Sequence, residues 1–333
     1  MHRLDARGWM IWVVAAATAV MMARNPFYVA LALIVARTVG LFCARSDAPF
    51  SFSLVRVGSI ILLLSTLFNM AMVHVGEIIL FRLPANWLWI GGPYTVEAGL
   101  FGLSNGLALF TLLVVFTTLN TTVSTGELVR LTPRALRDLG VIILIALTYL
   151  PETLGQLRRI REAQAIRGHR VRGLRDWQPV LIPLLIGGLE RAMGVAEAMV
   201  ARGYGATADS RQPLAVQLLL LTGLMAVFAG WVLSFWVGWP GWALLGLGSA
   251  LILALLWQLG RRVPHTHYRP HSWTRWDTGM AATAVFPLII LLIYRDSLPY
   301  SPYPVLTWPS FEPIVGISLL FLLFPIFART ESV

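Results

Sequence analysis

Residues 214–236 read LAVQLLLLTGLMAVFAGWVLSFW, a run without a single charged side chain. About 20 apolar residues in a helix are needed to cross the hydrocarbon core of a bilayer, so this run predicts a transmembrane helix. Similar apolar runs, bounded by charged residues, Pro or Gly, recur along the chain. We place eight spans in all, at residues 9–23, 26–42, 54–75, 100–123, 214–236, 239–259, 280–294 and 314–327. The sequence therefore predicts an all-α polytopic membrane protein.

The composition agrees with a membrane protein and narrows its chemistry. Of the 333 residues, 57% are hydrophobic and 13% are charged, whereas a soluble domain carries about 25% charged residues. Every one of the 26 Lys and Arg residues is Arg, and the absence of Lys excludes a Walker A loop and a Schiff-base lysine. Cys43 is the only cysteine, and His265, His267 and His271 have no carboxylate between them, so neither a disulfide nor a bound metal is predicted. We therefore expect no enzyme activity, no cofactor and no nucleic-acid binding. If ATP is used, we expect a separate chain to bind it.

The distribution of arginines predicts the orientation in the membrane. Two further apolar pieces, residues 139–150 and 179–189, are about a dozen residues long, which is the length of interfacial or buried helices. If both remain on the surface, only Arg24, Arg82 and Arg295 lie outside and all other arginines lie in the cytoplasm. By the positive-inside rule, both termini are then cytoplasmic, and the protein lies in the cell (inner) membrane.

The spans and charges divide the chain into four consecutive parts. Residues 1–123 form a four-span membrane region, and residues 212–238 contain the fifth span. Residues 239–333 form a three-span C-terminal extension. Between the fourth and fifth spans lies a cytoplasmic region, residues 124–211, which holds thirteen of the 26 arginines. Apolar residues recur through it at helical spacing, so we predict long amphipathic helices at the membrane surface.

A short motif occurs twice within the cytoplasmic region. Glu-Ala-x-x-x-Arg-Gly stands at residues 162–168 and again at residues 197–203. Each copy ends a long helical stretch, where Gly suits a left-handed cap and Arg suits the negative end of the helix dipole. A helix cap alone explains a single copy. Its duplication favours a second role, in which Arg167 and Arg202 dock into acidic grooves on two similar partner subunits.

The chain also resembles a known family, the transmembrane T component of energy-coupling factor (ECF) transporters, including the CbiQ type. The resemblance covers about residues 1–236. It is carried by Leu4-Asp5-Ala6-Arg7, Asn25-Pro26, Glu97-Ala98-Gly99-Leu100, residues 122–128 (TVSTGEL), Tyr149-Leu150-Pro151 and, most strongly, residues 197–205 (EAMVARGYG).

The resemblance implies two sets of contact residues. In the family, two Ala-Arg-Gly motifs end the coupling helices and contact a pair of ATPase subunits. The matching residues are Ala165, Arg167 and Gly168 in the first copy, which departs from the pattern at Ile166, and Ala201, Arg202 and Gly203 in the second. The two short apolar pieces would offer a platform to a membrane-embedded substrate-binding component. Its candidate residues are Leu144, Leu147, Leu150, Leu181, Leu184 and Leu185.

We therefore expect the transmembrane coupling subunit of an ECF-type ABC importer for a vitamin or a metal ion such as cobalt. Its partners would be two cytoplasmic ABC ATPase subunits, the substrate-binding component and the lipid bilayer. The alternative is a stand-alone polytopic membrane enzyme or secondary transporter whose Arg-rich region binds lipid phosphate or a phosphorylated substrate. An enzyme should carry an ionisable cluster at membrane depth, and a secondary transporter should show charged or broken central helices. The sequence shows little of either.

Overall fold

The chain is almost entirely helical, which confirms the all-α prediction. The computed structural model describes residues 4–45, 53–84, 91–131, 137–169, 173–204, 214–236, 238–261, 273–303 and 306–330. Within these ranges the only sheet is a two-stranded antiparallel hairpin.

The elements follow one another in a simple order. The helices are α1 (Ala6–Met22), α2 (Pro26–Cys43), α3 (Leu54–Met72), α4 (Val96–Thr122), α5 (Thr125–Val129), α6 (Arg137–Ile166), α7 (Gln178–Ala201), α8 (Leu214–Trp236), α9 (Trp239–Arg261), α10 (Arg275–Ile293), α11 (Pro313–Leu320) and α12 (Phe324–Thr330). The strands are β1 (Ile79–Leu83) and β2 (Gly92–Thr95), and they lie between α3 and α4.

Eight of the described helices are long and apolar enough to cross a membrane, but they are not the eight that the sequence predicted. Six agree with predicted spans: α2, α3, α4, α8, α9 and α10. The first and last predicted spans correspond to shorter apolar helices, Ala6–Met22 and Pro313–Ala328. The remaining two of the eight candidate spans are α6 and α7. The predicted long helices of this region are present, but they extend beyond the two apolar pieces of about a dozen residues, 139–150 and 179–189. Helix α6 continues through Pro151 into a more polar half, and α7 continues past residue 189.

The contacts divide the chain into two compact units. The first contains Met1–Leu131 together with Tyr268–Val333, and the second contains Thr132–His267. Helix α9 therefore belongs to the second unit, whereas α10, α11 and α12 belong to the first. The predicted C-terminal extension is thus shared between the two units.

In the first unit, the C-terminal helices complete the packing of the N-terminal hairpin. Helix α1 packs along α10 and α4, while α2 packs on α4, α11 and α12. Trp12, Tyr28, Met280 and Leu291 are fully buried at these contacts. The indole Nε1 of Trp12 donates a hydrogen bond to the carbonyl oxygen of Leu322 at 2.9 Å, so the ring is satisfied despite its burial.

A buried aspartate joins the starts of α1 and α10. The Asp5 carboxylate caps α1 by accepting from the Arg7 N–H at 3.0 Å, and the Asp5 N–H donates to Oδ1 of Asp277 at 2.8 Å. Asp277 also forms a capping box with Thr274 at the start of α10. One carboxylate therefore satisfies backbone donors at two helix starts that are far apart in sequence.

Two more polar contacts fasten the other end of the N-terminal hairpin to the C-terminal segment. The Asn25 amide Nδ2 donates to the carbonyl oxygen of Ser310 at 2.6 Å. The Glu312 N–H donates to the hydroxyl oxygen of Tyr28, also at 2.6 Å. With Asp277 at the opposite end, these bonds fix both ends of the contact.

Glycines permit close packing of two helix pairs. In the first unit, a Cβ at Gly102 of α4 would lie 2.8 Å from the carbonyl oxygen of Ser65 in α3. The Ser65 hydroxyl also donates a hydrogen bond to the Gly102 carbonyl oxygen at 2.7 Å. In the second unit, a Cβ at Gly248 of α9 would lie 2.8 Å from the backbone nitrogen of Val227 in α8. A larger residue at either position would force the backbones apart.

Candidate functional site

The two copies of the repeated motif fold into the same helix cap. At the end of α6, the Gly168 N–H donates to the Ala165 carbonyl at 3.0 Å, and the His169 N–H donates to the Gln164 carbonyl at 2.9 Å. Gly168 has a φ of +81°. This pair of bonds around a left-handed glycine is a Schellman motif, with Arg167 at the C-cap.

The end of α7 repeats this geometry. The Gly203 N–H donates to the Val200 carbonyl and the Tyr204 N–H to the Met199 carbonyl, both at 2.9 Å. Gly203 has a φ of +76°, and Arg202 is again the C-cap residue. The predicted left-handed glycine caps are thereby confirmed in both copies. A Cβ at Gly168 or Gly203 would have no neighbouring atom within 4 Å, so these glycines serve backbone conformation and not packing.

The cap accounts for the glycines but not for what surrounds them. Arg167 and Arg202 are both exposed, and neither guanidinium has a hydrogen bond or ion pair among the described residues. Each tip also presents a large apolar side chain: Ile166 is 88% exposed and Val200 is 71% exposed. An unpaired guanidinium beside an exposed aliphatic group at a helix end has the composition of a protein contact surface.

Helices α6 and α7 form an antiparallel pair. Arg191 of α7 makes an ion pair with Glu152 of α6 at 3.1 Å and also donates to the Gln156 side chain. Nearer the connecting turn, the Gln164 amide donates to the Pro179 carbonyl at 3.4 Å. The residue numbers of the paired positions rise on one helix as they fall on the other, which defines the antiparallel arrangement.

The connecting turn is itself held by side chains. The imidazole Nε2 of His169 lies 2.8 Å from the Asp176 carbonyl oxygen, and the Asp176 carboxylate accepts from the Gly173 N–H at 3.0 Å. The guanidinium of Arg161 lies 5.7 Å from the centre of the Trp177 ring, within the range of a cation–π contact. These contacts stabilise the return of the chain into α7.

The antiparallel arrangement places the two motifs at opposite ends of the pair. The first copy lies beside the connecting turn, and the second lies at the far end of α7, which has 24 residues. At 1.5 Å per residue, the two tips are about 36 Å apart. That spacing is too large for one narrow groove and suits two separate contact points.

The candidate platform residues are not brought together by this pair. Leu144, Leu147 and Leu150 lie in the first half of α6, at the end of the pair that carries Arg202. The other three lie in the first half of α7, at the end that carries Arg167; they are Leu181, Leu184 and Leu185. Four of the six are exposed and two are partly buried. The apolar surface therefore has two sections, one near each tip.

A groove of about 370 Å³ runs between the two helices of the pair. Its walls are largely apolar, with the Arg191 side chain as its one charged group. The lining residues are Ile145, Tyr149, Thr153, Gly188, Arg191, Ala192, Val195, Ala196 and Met199. Small residues on the α7 side keep the groove open.

This pair of duplicated helix tips belongs to a chain segment that matches a protein family. Residues 1–214 match the family model CbiQ, described as cobalt transport protein, and both motif copies lie inside the match. The chain belongs to this family. Its members include the transmembrane T components of ECF transporters, and the chain is a multi-pass membrane protein of that type.

Curated relatives agree with the family match. The energy-coupling factor transporter transmembrane protein EcfT of Bacillus selenitireducens is 30% identical over 217 residues, which cover 61% of this chain and 79% of the relative. EcfT of Bacillus subtilis is 30% identical over 229 residues, covering 61% and 80% of the two chains. EcfT of Streptococcus thermophilus is 28% identical over 224 residues, with the same coverage. All three relatives are named as transmembrane components of transporters.

The sequence did not predict the structural role of one buried ionisable residue, Glu97. It is 0% exposed at the start of α4, and its Oε1 accepts from the Glu77 and Ile78 N–H groups at 3.1 and 3.0 Å. Burial, with a smaller contribution from the Glu97 carboxylate, raises the pKa of the Tyr303 hydroxyl in the loop before α11. Glu97 therefore organises the chain between α3 and β1. Its place at the head of the predicted fourth span, where a helix N-terminus favours a carboxylate, was the available signal.

The described residues contain no group of three or more His, Cys, Asp or Glu side chains that could hold a metal ion. His265, His267 and His271 lie outside the described residues.

Proposed function

We propose that this T component couples ATP hydrolysis by two cytoplasmic ATPase subunits to the uptake of a vitamin or a metal ion. A separate membrane-embedded component would capture the substrate. The observation that carries the proposal is the pair of helix tips with the same Schellman cap, each with an exposed and unpaired Arg, about 36 Å apart. Two equivalent contact points at this spacing suit two equivalent subunits.

The proposed mechanism assigns a role to each part of the helix pair. Arg167 and Arg202 would enter acidic grooves on the ATPases, where a planar guanidinium can pair with a carboxylate through two hydrogen bonds. The apolar sections near the tips would contact the substrate-binding component. The ion pair between Arg191 and Glu152 holds the two helices together, so movement of one tip would be passed along a stiff pair to the other.

The proposal includes the orientation predicted from the arginines. The pair α6 and α7 would lie on the cytoplasmic side, both termini would be cytoplasmic, and the protein would lie in the cell membrane. A placement of these helices across the bilayer would bury the exposed and unpaired arginines near the end of α6, Arg158 and Arg159, at a cost of several kcal/mol. The charge pattern thus favours the surface position even though both helices are long enough to span.

The test is charge reversal at the tips, with co-purification as the measurement. We expect Arg202→Glu to abolish co-purification of the ATPase subunits from membranes while the protein remains inserted, because loss of a buried charge pair costs about 2 to 5 kcal/mol. Arg167→Glu should act in the same direction, more weakly because the bulky Ile166 precedes it.

Arg159→Glu is the matched control. Arg159 is an exposed arginine on α6, about two turns before Arg167, and a scattered surface charge contributes at most about 1 kcal/mol. If Arg159→Glu weakened assembly as much as Arg202→Glu, the region would act as a diffuse basic surface. The alternative of lipid or phosphate binding by this region would then be favoured.

A further inference from the structure

A cavity of about 450 Å³ opens in the first unit, between the end of α1 and the turn that follows α10. The volume falls within the roughly 300 to 1,000 Å³ of ordinary ligand pockets. The cavity is lined by Met22, Arg24, Arg295, Asp296, Leu298 and Pro299. The proposed coupling function makes no use of these residues.

The cavity combines two positive charges with one negative charge. Arg24, Arg295 and Asp296 are all exposed, and none of the three has an ion pair or side-chain hydrogen bond among the described residues. Two guanidinium groups facing one space form a donor set that suits the oxygens of a phosphate. The unpaired Asp296 carboxylate beside them suits a cationic group on the same ligand.

The position of the cavity indicates that the ligand comes from the membrane. Helix α1 ends at Met22 and α10 ends at Ile293, so the cavity lies where two apolar helices end and lipid headgroups begin. In the last turns of these two helices, Met21, Leu292 and Ile293 are exposed apolar side chains. A headgroup in the cavity would leave its acyl chains beside these residues.

We propose that this cavity binds the headgroup of a zwitterionic phospholipid with a primary ammonium, that is, phosphatidylethanolamine. The phosphate is held between Arg24 and Arg295, and the ammonium is held by Asp296. The apolar floor formed by Met22, Leu298 and Pro299 lies below the glycerol. Choline lipids fit less well, because a quaternary ammonium has no N–H to donate to the carboxylate. Phosphatidylglycerol fits less well, because its neutral glycerol headgroup has no cation to pair with the Asp296 carboxylate.

The experiment measures the lipids that remain bound to the purified full-length chain. The protein is expressed in cells whose membranes contain both phosphatidylethanolamine and phosphatidylglycerol, purified in mild detergent, and extracted for lipid quantification by mass spectrometry. We expect phosphatidylethanolamine to be enriched over its share of the membrane. The double variant R24Q/R295Q should retain about tenfold less lipid than the unmodified protein, because two weak charge-assisted contacts are removed.

Two single variants sharpen the test. D296N should retain phospholipid but lose the preference for phosphatidylethanolamine over phosphatidylglycerol. R82Q is the control, because Arg82 is an exposed arginine on β1 that does not line the cavity; it should behave as the unmodified protein. Unchanged retention in R24Q/R295Q, or an equal loss in R82Q, would overturn the proposal. Melting temperatures of the delipidated variants should agree, since the substituted side chains are exposed and no bound lipid then contributes to stability.

A final arm separates a lipid from a soluble ligand of the same chemistry. Delipidated protein is titrated with phosphatidylethanolamine in nanodiscs and, separately, with millimolar phosphoethanolamine in water. Binding to the lipid alone, with dependence on Arg24 and Arg295, supports the proposal. Arginine-dependent binding of phosphoethanolamine without enrichment of the lipid would show that the site takes a soluble compound, and the proposed lipid site would be wrong.

Discussion

Replacement of Asp277 by alanine should destabilise the first unit more than most single substitutions. The Asp277 side chain is 1% exposed. Its Oδ1 accepts from the Asp5 N–H at 2.8 Å, and its Oδ2 accepts from the Thr274 N–H at 2.8 Å and the Thr274 hydroxyl at 2.7 Å. The carboxylate thus links the start of α1 to the start of α10.

The size of the effect follows from these three bonds. Asp277→Ala leaves the N–H groups of Asp5 and Thr274 without an acceptor, and each unsatisfied buried N–H costs about 1 to 3 kcal/mol. Loss of the capping box at α10 belongs to the same change and is not added separately. We therefore expect a loss of about 2 to 6 kcal/mol in the free energy of unfolding. Asp277→Asn keeps one acceptor oxygen and should lose about half as much.

The assay is unfolding of the full-length chain in mixed micelles, by titration with a denaturing detergent and measurement of tryptophan fluorescence. The chain has thirteen Trp residues, and Trp9 and Trp12 are buried in the unit that Asp277 stabilises. Glu77→Ala is the control: this glutamate is exposed in the same unit, between α3 and β1, so its loss should change stability by at most about 0.5 kcal/mol. If the free energy of unfolding of Asp277→Ala lay within about 1 kcal/mol of that of the unmodified protein, the carboxylate would not be a structural link between α1 and α10.

Three further predictions concern backbone geometry. Gly76→Ala should lower stability by about 1 to 3 kcal/mol in thermal melts, because Gly76 has a φ of +146° and a Cβ there would lie 2.5 Å from the buried Glu97 carboxylate. Gly248→Val should separate α8 from α9 and abolish disulfide cross-linking between engineered cysteines on the two helices; Gly246→Val, on the same helix with no neighbour within 4 Å, should leave cross-linking intact. Spin labels at Ala165 and Ala201 in a Cys43→Ser background should give a distance of about 36 Å by pulsed EPR, and a distance below about 20 Å would exclude the antiparallel pair.

The sequence predicted the elements whose signal lies within one stretch of chain. Six spans could be located because a long apolar run has one common outcome in a membrane protein. The glycine caps at Gly168 and Gly203 could be predicted for a similar reason, since a left-handed residue at a helix end is a local requirement.

The packing of the C-terminal helices on the N-terminal hairpin could not be predicted in this way. One apolar helix surface resembles another, and mutual hydrophobicity does not select neighbours within a bilayer. The information lay in isolated polar residues of apolar segments, above all Asn25, Tyr28 and Asp277, whose partners are more than 270 residues away in the chain. Each of these side chains needs a hydrogen-bond partner when it is buried, but the sequence alone does not identify that partner.

The apolar stretches of α6 and α7 were underestimated for a different reason. Residues 139–150 and 179–189 were judged as separate pieces of about a dozen residues, and the first of them was ended before Pro151. The helix continues past Pro151, and the hydroxyl of Thr153 donates to the Tyr149 carbonyl at 2.9 Å in the affected turn. A proline therefore marked a change in polarity along one helix and not its end.

The antiparallel arrangement also explains why a duplicated motif is useful in the proposed complex. Two antiparallel helices are related by an approximate two-fold axis perpendicular to their length, so the two identical caps are presented in equivalent orientations. A pair of similar subunits related by a two-fold axis offers two equivalent grooves with the same symmetry. Tandem tips on parallel helices would point the same way and could not satisfy both grooves. The difference between Ile166 and Ala201 breaks this symmetry at one position, so the groove that receives Arg167 needs room for a larger side chain than the groove that receives Arg202.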